Sequence, residues 1–327
     1  MRICLVSTAG IITPPAQYGG MERGVAWLAR GLAEKDHEVT VIAKLGSDVA
    51  LIHPKVRMFV AEAEKDFPSL FTAGECDIII DMSHDKHVTA ANPDFPQLNV
   101  YQAMHFNPAA KNIVCISEGQ RKHFGLNASN AVVIRYGLDK EEYPHNFIES
   151  RQRYVLYMGA ISEYKRPEWV IVAAAMAGYE TRLAGPYWHG EFAEKMKPYH
   201  SVEGVTFMGD VGGPLKIELL RYATAVIHPV GAKGWVEAGA IIALEAFAVG
   251  TPVIGTKNGC LPEYIAHGEN GYLVESVEGI AEAIPLAAKL EPTDVYVIAE
   301  DRIGLSHLRM AYEYVQACEA VLRGDTW

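Results

Sequence analysis

The amino-acid sequence predicts an α/β protein made of two doubly wound domains, and three observations indicate this. The chain has 327 residues, more than one hydrophobic core usually serves. Short β-branched segments alternate with amphipathic segments, which is typical of parallel strands joined by helices. The alternation starts a second time after a polar stretch at residues 143–152 that has little apolar periodicity. We therefore expect one domain in residues 1–147 and a second in residues 148–305, each with its own parallel sheet.

The first half contains six candidate strands and one well-defined helix. The helix is predicted over residues 21–34, because the apolar side chains between Val25 and Leu32 recur on one face. The strands are predicted at residues 3–6, 38–43, 76–80, 99–102, 112–116 and 132–134.

The second half repeats the pattern. Its strands are predicted at residues 154–158, 181–184, 205–208, 225–228, 253–255 and 272–274. Its helices are predicted near residues 167–176, 214–222, 239–249, 278–290 and 306–322. Open parallel sheets bind ligands at the carboxyl ends of their strands, so residues that directly follow strands are the first candidates for a site. We expect the two domains to face each other across a cleft.

Composition and charge exclude several classes of partner. The chain has 40 acidic and 29 basic residues, a net charge of −11, which argues against nucleic acid and leaves at most peripheral contact with an anionic membrane. The five cysteines lack CxxC spacing, so we expect buried free thiols. No apolar run approaches the roughly 18 residues of a spanning helix, and the first residues predict a strand rather than a signal peptide. We expect a cytoplasmic protein.

Paired glycines, Gly19 and Gly20, lie between the first strand and the first helix. At a helix N-terminus such a pair lets bare backbone approach an anion, and the helix dipole favours phosphate. A flexible turn explains the pair equally well. The motif is not GxGxxG, so a dehydrogenase fingerprint is absent.

Two adjacent cations, Lys165 and Arg166, follow the first strand of the second domain and precede a helix that begins with Pro167. Basic residues at a helix start oppose the helix dipole, and a bound diphosphate would explain their presence. Arg166 would act as a fork and Lys165 as a point charge. A pair of solvated surface charges is the alternative, and the residues leave both interpretations open.

Two carboxylates, Glu237 and Glu245, accompany the small apolar helix predicted near residues 239–249. Glu245 has apolar neighbours, and a buried carboxylate needs a hydrogen-bond partner. The vicinal hydroxyls of a ribose or a hexose suit such an acceptor. The alternative makes Glu237 a partner of the helix dipole and Glu245 a salt-bridged helix residue. The residues alone favour this alternative.

A single histidine, His105, follows the strand predicted at residues 99–102. A lone histidine in such a place is more often structural than functional. No spacing of histidine, cysteine or acidic residues resembles a metal site, and no GxSxG elbow is present. We therefore expect neither a metal ion nor a cofactor.

The two glutamates form an EX7E element, which is followed in order by the segments GTPVI, NGCLPE and NGYLV at residues 250–254, 258–263 and 270–274. Together these segments resemble glycosyltransferase family 4. Further matching segments are YGGMER, HEVTV and YGLD at residues 18–23, 37–41 and 136–139. Within the family, the chain is similar to short members of the avilamycin-pathway type.

This resemblance implies a retaining, metal-independent hexosyltransferase with the GT-B fold, in which two Rossmann-like domains face each other across a cleft. The second domain would bind the nucleotide-sugar donor and the first would bind the acceptor. The last helix would pack back on the first domain, so that residues 306–327 join residues 1–147.

The resemblance also assigns roles to the candidate residues. Lys165, with help from Arg166, would stabilise the diphosphate leaving group. Glu237 would hold the hydroxyls of the donor sugar, and His105 would contact that sugar near its reactive face. The remaining donor contacts would come from Gly19 and Gly20 at the distal phosphate, the backbone of Gly239, Ala240 and Ile241 near sugar and phosphate, Glu245 at the ribose, and Met208 and Val211 at the base.

The chain departs from the family pattern at several positions. Ala160 stands where the family usually has an arginine, and Arg166 stands where it commonly has glycine. Segment 81–84 differs from the common histidine-rich version, which leaves the acceptor side open. A nucleotide-sugar 2-epimerase and a non-catalytic nucleotide-sugar-binding subunit are the alternatives. A UDP or GDP donor, a small-metabolite, lipid or glycan acceptor, and a monomer or dimer all remain open.

Overall fold

The structure, a computed structural model, describes residues 1–144, 147, 150–188 and 190–327. The chain folds into two compact units. The first comprises Met1–Pro15, Gly19–Asp139 and Ser306–Trp327, and the second comprises Ala16–Tyr18 and Lys140–Leu305. The domain boundary that the sequence predicts, between residues 147 and 148, involves a residue outside the described part of the chain.

The first unit is built on a seven-stranded parallel sheet with the strand order β3-β2-β1-β4-β5-β6-β7. The strands are β1 (Arg2–Val6), β2 (Glu38–Lys44), β3 (Arg57–Ala61), β4 (Ile78–Asp81), β5 (Gln97–Tyr101), β6 (Ile113–Cys115) and β7 (Val132–Val133). The helices of this unit are α1 (Gly20–Glu34), α2 (His87–Ala91), α3 (Glu118–His123) and the last helix of the chain, α11 (His307–Leu322).

Strand β1 lies at the centre of this sheet, and its sequence explains why. Leu5 pairs in register with Val41 of β2 on one side and with Ile80 of β4 on the other. All three side chains are fully buried. A nearly continuous apolar run is typical of a strand that has both faces covered.

Helix α11 packs against α1 within the first unit. A Cβ atom at Gly31 of α1 would lie 2.8 Å from the backbone oxygen of His307, so only glycine permits this approach. Ser306 caps α11 by accepting a hydrogen bond from the amide of Leu308. The last segment of the chain therefore belongs to the first unit.

The second unit contains a six-stranded parallel sheet with the order β10-β9-β8-β11-β12-β13. The strands are β8 (Tyr154–Met158), β9 (Glu180–Ala184), β10 (Val205–Gly209), β11 (Ala225–His228), β12 (Val253–Thr256) and β13 (Gly271–Val274). The helices are α4 (Pro167–Ala177), α5 (Gly190–Met196), α6 (Gly213–Tyr222), α7 (Ile241–Ala248), α8 (Leu261–Tyr264), α9 (Val277–Ala287) and α10 (Pro292–Ile303).

The predicted fold class, two α/β domains with parallel sheets, is confirmed. The sequence prediction misses two substantial elements, β3 and α10, as well as several short helices. Strand β3 is at the edge of its sheet, and Arg57 and Phe59 on it are exposed, so it lacks the apolar pattern of an interior strand. Helix α7 begins at Ile241 rather than at residue 239, because the backbone of Ala240 is not helical. Among the described residues, no helix is both long enough and apolar enough to span a bilayer.

In each sheet the strand order reverses beside the first strand. Strand β1 has β2 on one side and β4 on the other, and β8 has β9 and β11. In open α/β sheets, ligands bind at the carboxyl ends of the strands where such a reversal occurs. In the second unit the two loops at this point follow β8 and β11, and they contain Lys165 and Glu237.

Candidate functional site

The loops that follow β8 and β11 join Lys165, Glu237 and His228 into one polar cluster. Lys165 Nζ lies 2.5 Å from Glu237 Oε2. His228 Nε2 lies 3.0 Å from the same oxygen. Two residues that the sequence singled out separately, Lys165 and Glu237, are thus in direct contact.

Backbone contacts fix the position of Glu237. Its amide donates a 2.8 Å hydrogen bond to Asn258 Oδ1, and its carbonyl accepts from the amide of Cys260. A Cβ atom at Gly259, where φ is +52°, would lie 1.9 Å from the carbonyl oxygen of Glu237. The NGC segment at residues 258–260 is therefore a cradle for Glu237, and only glycine fits at its centre.

The electrostatics of this cluster favour a charged carboxylate. Burial would raise the pKa of Glu237, but the Lys165 charge and the His228 hydrogen bond outweigh burial and hold that pKa well below its usual range. Burial lowers the pKa of His228, so its imidazole is neutral at pH 7 and donates Nε2–H to the carboxylate. Both donors reach Oε2, and no described residue donates a hydrogen bond to Oε1. Glu237 Oε1 is available to accept a hydrogen bond from a hydroxyl.

Arg166, a second cation, directly follows Lys165 in the sequence. Its backbone is left-handed, with φ 48° and ψ 49°, and it occupies the N-cap position of α4. Its guanidinium lies 4.3 Å from the centre of the Trp169 ring. Within the described chain it has no carboxylate partner, so its charge is not neutralised by an ion pair. Glycine adopts such a left-handed backbone without strain, whereas a residue with a side chain does not.

Glu245 lies inside the second unit on α7. Its Oε1 accepts hydrogen bonds from Tyr143 at 2.7 Å and from Lys216 Nζ at 2.5 Å. The expectation that a buried Glu245 would have a hydrogen-bond partner is confirmed, and the salt bridge of the alternative interpretation is present. Its contact with a ribose stays a prediction.

The three backbone donors predicted at the start of α7 differ in their contacts. The Ala240 amide approaches Cys260 Sγ at 3.2 Å, and the Ile241 amide donates to the Gly239 carbonyl. The Gly239 amide has no partner among the described residues. Two of the three predicted donors are therefore already engaged in contacts within the second unit.

Met208 and Val211 lie at and after the end of the edge strand β10. Met208 is partly buried and Val211 is buried. Between them, Asp210 accepts hydrogen bonds from the Tyr18 amide and the Gln17 side chain. Their contact with a nucleotide base stays a prediction.

The remaining predicted residues belong to the first unit. Gly19 has φ 143°, and a Cβ atom there would lie 2.7 Å from Cβ of Pro15. Gly20 is the first residue of α1. His105 is exposed on the loop after β5. The roles predicted for these residues toward a donor stay predictions.

Sequence reasoning missed three polar partners. His228 was assigned only to a strand, although a histidine at the carboxyl end of β11 is a signal that could have been used. Lys216 of α6 and Tyr143 lie 29 and 102 positions from Glu245 along the chain, and no local pattern links them to it.

The comparisons with known proteins identify the family. The model of the family "Glycosyl transferases group 1" matches residues 139–302, half of the chain. The chain belongs to this family. The matched segment nearly coincides with the second unit, which contains Lys165, Glu237 and Glu245.

Two curated relatives match parts of the chain. The uncharacterized glycosyltransferase MJ1178 of Methanocaldococcus jannaschii is 23% identical over 166 residues, which are 50% of this chain and 45% of that protein. The N-acetyl-alpha-D-glucosaminyl L-malate synthase of Bacillus anthracis is 46% identical over 48 residues, 14% of this chain and 13% of that protein. The matched segments thus span less than half of these relatives.

Solved structures match over the whole length. AviGT4, a glycosyltransferase involved in avilamycin A biosynthesis, is similar with a TM-score of 0.83 and 26% identity, covering 100% of this chain and 99% of AviGT4. HepE of Anabaena, in complex with UDP and glucose, is similar with a TM-score of 0.75 and 17% identity, covering 98% of this chain and 100% of HepE. The two parallel-sheet domains match those of GT-B glycosyltransferases.

Proposed function

We propose that this chain is a retaining glycosyltransferase of family 4 that moves a hexose from a UDP- or GDP-linked donor to a hydroxyl acceptor without a metal ion. Membership of the glycosyl transferases group 1 family supports transfer chemistry. The observation that carries the proposal is the Lys165–Glu237 contact at the strand reversal of the second unit. It places a cation and a carboxylate acceptor side by side, as a sugar bonded to a diphosphate requires.

In this reaction the bond between the anomeric carbon and the diphosphate oxygen breaks, and negative charge grows on the phosphate. Lys165 would exchange Glu237 for a phosphate oxygen and stabilise that charge. Glu237 Oε1 would accept a hydrogen bond from a hydroxyl of the hexose. The acceptor hydroxyl attacks from the face that the phosphate leaves, and its proton passes to the departing phosphate oxygen. This scheme needs no separate base from the protein.

Arg166 would supply the second cation on the diphosphate. The family arginine is replaced by Ala160, which is fully buried. Arg166 lies next to Lys165 and has no carboxylate partner among the described residues, so its charge is available to a phosphate. In the same scheme His105 contacts the hexose, Gly19 and Gly20 bind the distal phosphate, and Glu245 binds the ribose. The base would lie near Met208 and Val211.

The acceptor is a small metabolite, a lipid or a glycan, bound mainly by the first unit. We place the reaction in the cytoplasm, with at most peripheral membrane contact, and the enzyme acts as a monomer or dimer. A nucleotide-sugar 2-epimerase would instead convert the donor to its epimer when incubated with donor alone. A non-catalytic subunit would bind the donor without transfer. Only the alanine at position 160, where the family usually has an arginine, favours that interpretation.

A thermal-shift panel of UDP-glucose, UDP-N-acetylglucosamine, GDP-mannose, NAD and ATP tests the proposal. A ligand at 100 times its dissociation constant stabilises the folded state by about 2.7 kcal/mol. One nucleotide sugar should raise the melting temperature equally with and without EDTA, and NAD should not. Lys165→Met should abolish this shift, whereas Lys197→Met, in an exposed ion pair, should retain it. If no nucleotide sugar shifts the wild-type protein, the proposal fails.

A further inference from the structure

Two buried hydrogen-bond donors beside the Lys165–Glu237 pair have no partner in the described part of the chain. They are Ser162 Oγ and Trp235 Nε1. Ser162 is completely buried. Burying a donor without a partner costs about 1–3 kcal/mol, so such atoms are rare unless something else satisfies them.

Both donors are fixed to the loops that carry the charged pair. The carbonyl of Ser162 accepts a 3.1 Å hydrogen bond from the amide of Lys165. Ser162 occupies the N-cap position of the turn that contains Lys165, yet its hydroxyl makes no capping hydrogen bond. The hydroxyl is therefore not used by the local structure that normally employs a serine at such a position.

Trp235 is held equally firmly beside Glu237. Its carbonyl accepts a 2.9 Å hydrogen bond from Asn258 Nδ2. Oδ1 of the same Asn258 side chain accepts a hydrogen bond from the backbone amide of Glu237. Its ring stacks on Tyr164, with centroids 5.1 Å apart and an interplanar angle of 29°. Tyr164 lies between Ser162 and Lys165 in the sequence, so this stack joins the two loops.

The chemistry of the two atoms restricts what they bind. An indole N–H only donates, so its partner must be an acceptor such as an oxygen atom. The sugar diphosphate of a nucleotide sugar offers phosphate oxygens and hexose hydroxyls, both of which accept. Ser162 lies on the same loop as Lys165, the residue proposed to bind the diphosphate. Trp235 lies on the same loop as Glu237, the residue proposed to bind the hexose. We therefore expect Ser162 to contact the diphosphate and Trp235 to contact the hexose.

We infer that Ser162 Oγ donates to a diphosphate oxygen of the bound donor and that Trp235 Nε1 donates to an oxygen of the transferred hexose. This inference rests on the proposed function, because it assigns two further contacts to the same donor site. It makes Trp235 a determinant of which hexose is accepted, since a buried N–H rejects a sugar that lacks the matching oxygen.

Titration calorimetry on the full chain tests both contacts, with UDP, UDP-glucose, GDP and GDP-mannose as probes. Ser162→Ala should lower the affinity for the nucleoside diphosphate and for its sugar conjugate alike, by about tenfold or more. Trp235→Phe keeps the ring on Tyr164 and removes only the N–H. It should lower the affinity for the nucleotide sugar by about tenfold and leave the affinity for the free nucleoside diphosphate unchanged.

The melting temperature without ligand separates a binding role from a structural one. Neither substitution removes a hydrogen bond between described residues, so both variants should melt at or above the temperature of the wild-type protein. The matched controls are Ser117→Ala, which removes a used helix cap, and Trp327→Phe, which removes a used N–H. These controls should melt lower and bind the probes as the wild type does.

The outcomes distinguish the two levels of the proposal. If the wild-type chain binds none of the four probes, the proposed function fails. If the wild type binds a probe and both variants bind it equally well, the assignment of Ser162 and Trp235 is overturned while the proposed function stands. A lower melting temperature with unchanged affinity would also overturn it, because it would show a structural role.

Discussion

At the scale of single residues, Arg166 combines a cost in folding with an expected gain in catalysis. Arg166 has a left-handed backbone, which costs a non-glycine residue about 1 kcal/mol or more of folding free energy. Arg166→Gly and Arg166→Ala both remove the guanidinium, but only the glycine variant relieves the backbone. We expect the glycine variant to be about 1 kcal/mol more stable than the alanine variant in urea unfolding. Both should reduce turnover at least tenfold and reduce donor affinity less, because Arg166 acts on the charge that develops as the bond breaks.

The control for Arg166 is another left-handed residue, Asp36, which is exposed in the first unit. Asp36→Gly should relieve the backbone in the same way and leave turnover unchanged. Unchanged turnover in both Arg166 variants would remove Arg166 from the proposed mechanism.

His228 is expected to act as a positioning residue for Glu237. Phenylalanine at this position removes the donor to Glu237 Oε2, whereas glutamine retains one. His228→Phe should therefore lower kcat/KM for the donor by about tenfold, and His228→Gln should lower it less. Because burial lowers the pKa of His228, any titration of this residue in the wild-type rate should lie at a lower pH than that of an ordinary histidine. A pH–rate profile and steady-state kinetics of the three proteins check this, and equal rates would refute it.

Glu64 makes a specific contribution to acid stability in the first unit. Burial would raise its pKa, but hydrogen bonds from His84 and from the amides of Asp85, His84 and Ala9 lower it to about 2. A depressed pKa stabilises the folded state above the ordinary value of about 4.3, and this contribution is lost as the pH falls toward 2. Glu64→Gln should cost about 2–3 kcal/mol at pH 6 and progressively less below pH 4.

The measurement is urea unfolding of wild type and Glu64→Gln at pH 6, 4 and 3. The hydrogen bond to Glu64 raises the pKa of His84, and the charged imidazole strengthens their interaction. The difference in unfolding free energy between the two proteins should therefore also shrink when the pH rises through the raised pKa of His84. A difference that stays constant from pH 6 to pH 3 would show that the charge of Glu64 does not carry the effect.

At the scale of secondary structure elements, the buried Lys216–Glu245 pair ties α6 to α7. Lys216→Met breaks the buried ion pair while the Glu245 carboxylate stays inside the protein, and it should destabilise the protein by about 3 kcal/mol. The double variant Lys216→Met, Glu245→Leu should recover most of this loss, since it also removes the buried carboxylate. Chemical unfolding of both variants gives the comparison, with the exposed Lys197 as the control position. A double variant as unstable as the single one would contradict the argument.

Elements that are apolar on both faces were predictable from the sequence. Strand β8 is fully buried, and its predicted bounds agree with the structure. Helix α10 was missed because only Val295, Ala299 and Ile303 are buried on it, a stripe too narrow to detect among polar neighbours. Lys165 and Glu237 were identified by position after strands and by spacing. Their direct contact and their partner His228 depend on which strands are neighbours in the sheet, and residue spacing does not contain that information.

At the scale of the whole chain, the two compact units are not two consecutive halves of the sequence. The family match at residues 139–302 covers the second unit almost completely, whereas the first unit is formed from both ends of the chain. Arg309 on α11 donates to the carbonyls of Arg135 and Tyr136, and the indole of Trp327 donates to Ile113. The last 22 residues therefore complete a unit that begins at Met1.

Removing residues 306–327 should consequently unfold the first unit and spare the second. The deletion exposes the face of α1 that contacts α11 and removes buried side chains such as Met310 and Tyr314 from the first core. Limited proteolysis should cut the truncated chain within residues 1–139 and leave a resistant fragment that spans most of residues 140–305. Gly31→Ala tests the same contact with the chain intact, because alanine normally favours a helix by about 1 kcal/mol but here meets the His307 backbone at 2.8 Å. It should lower the melting temperature, whereas Gly74→Ala, with open space around it, should not. Cleavage that begins in the second unit, or a stabilised Gly31→Ala variant, would show that α11 does not hold the first unit together.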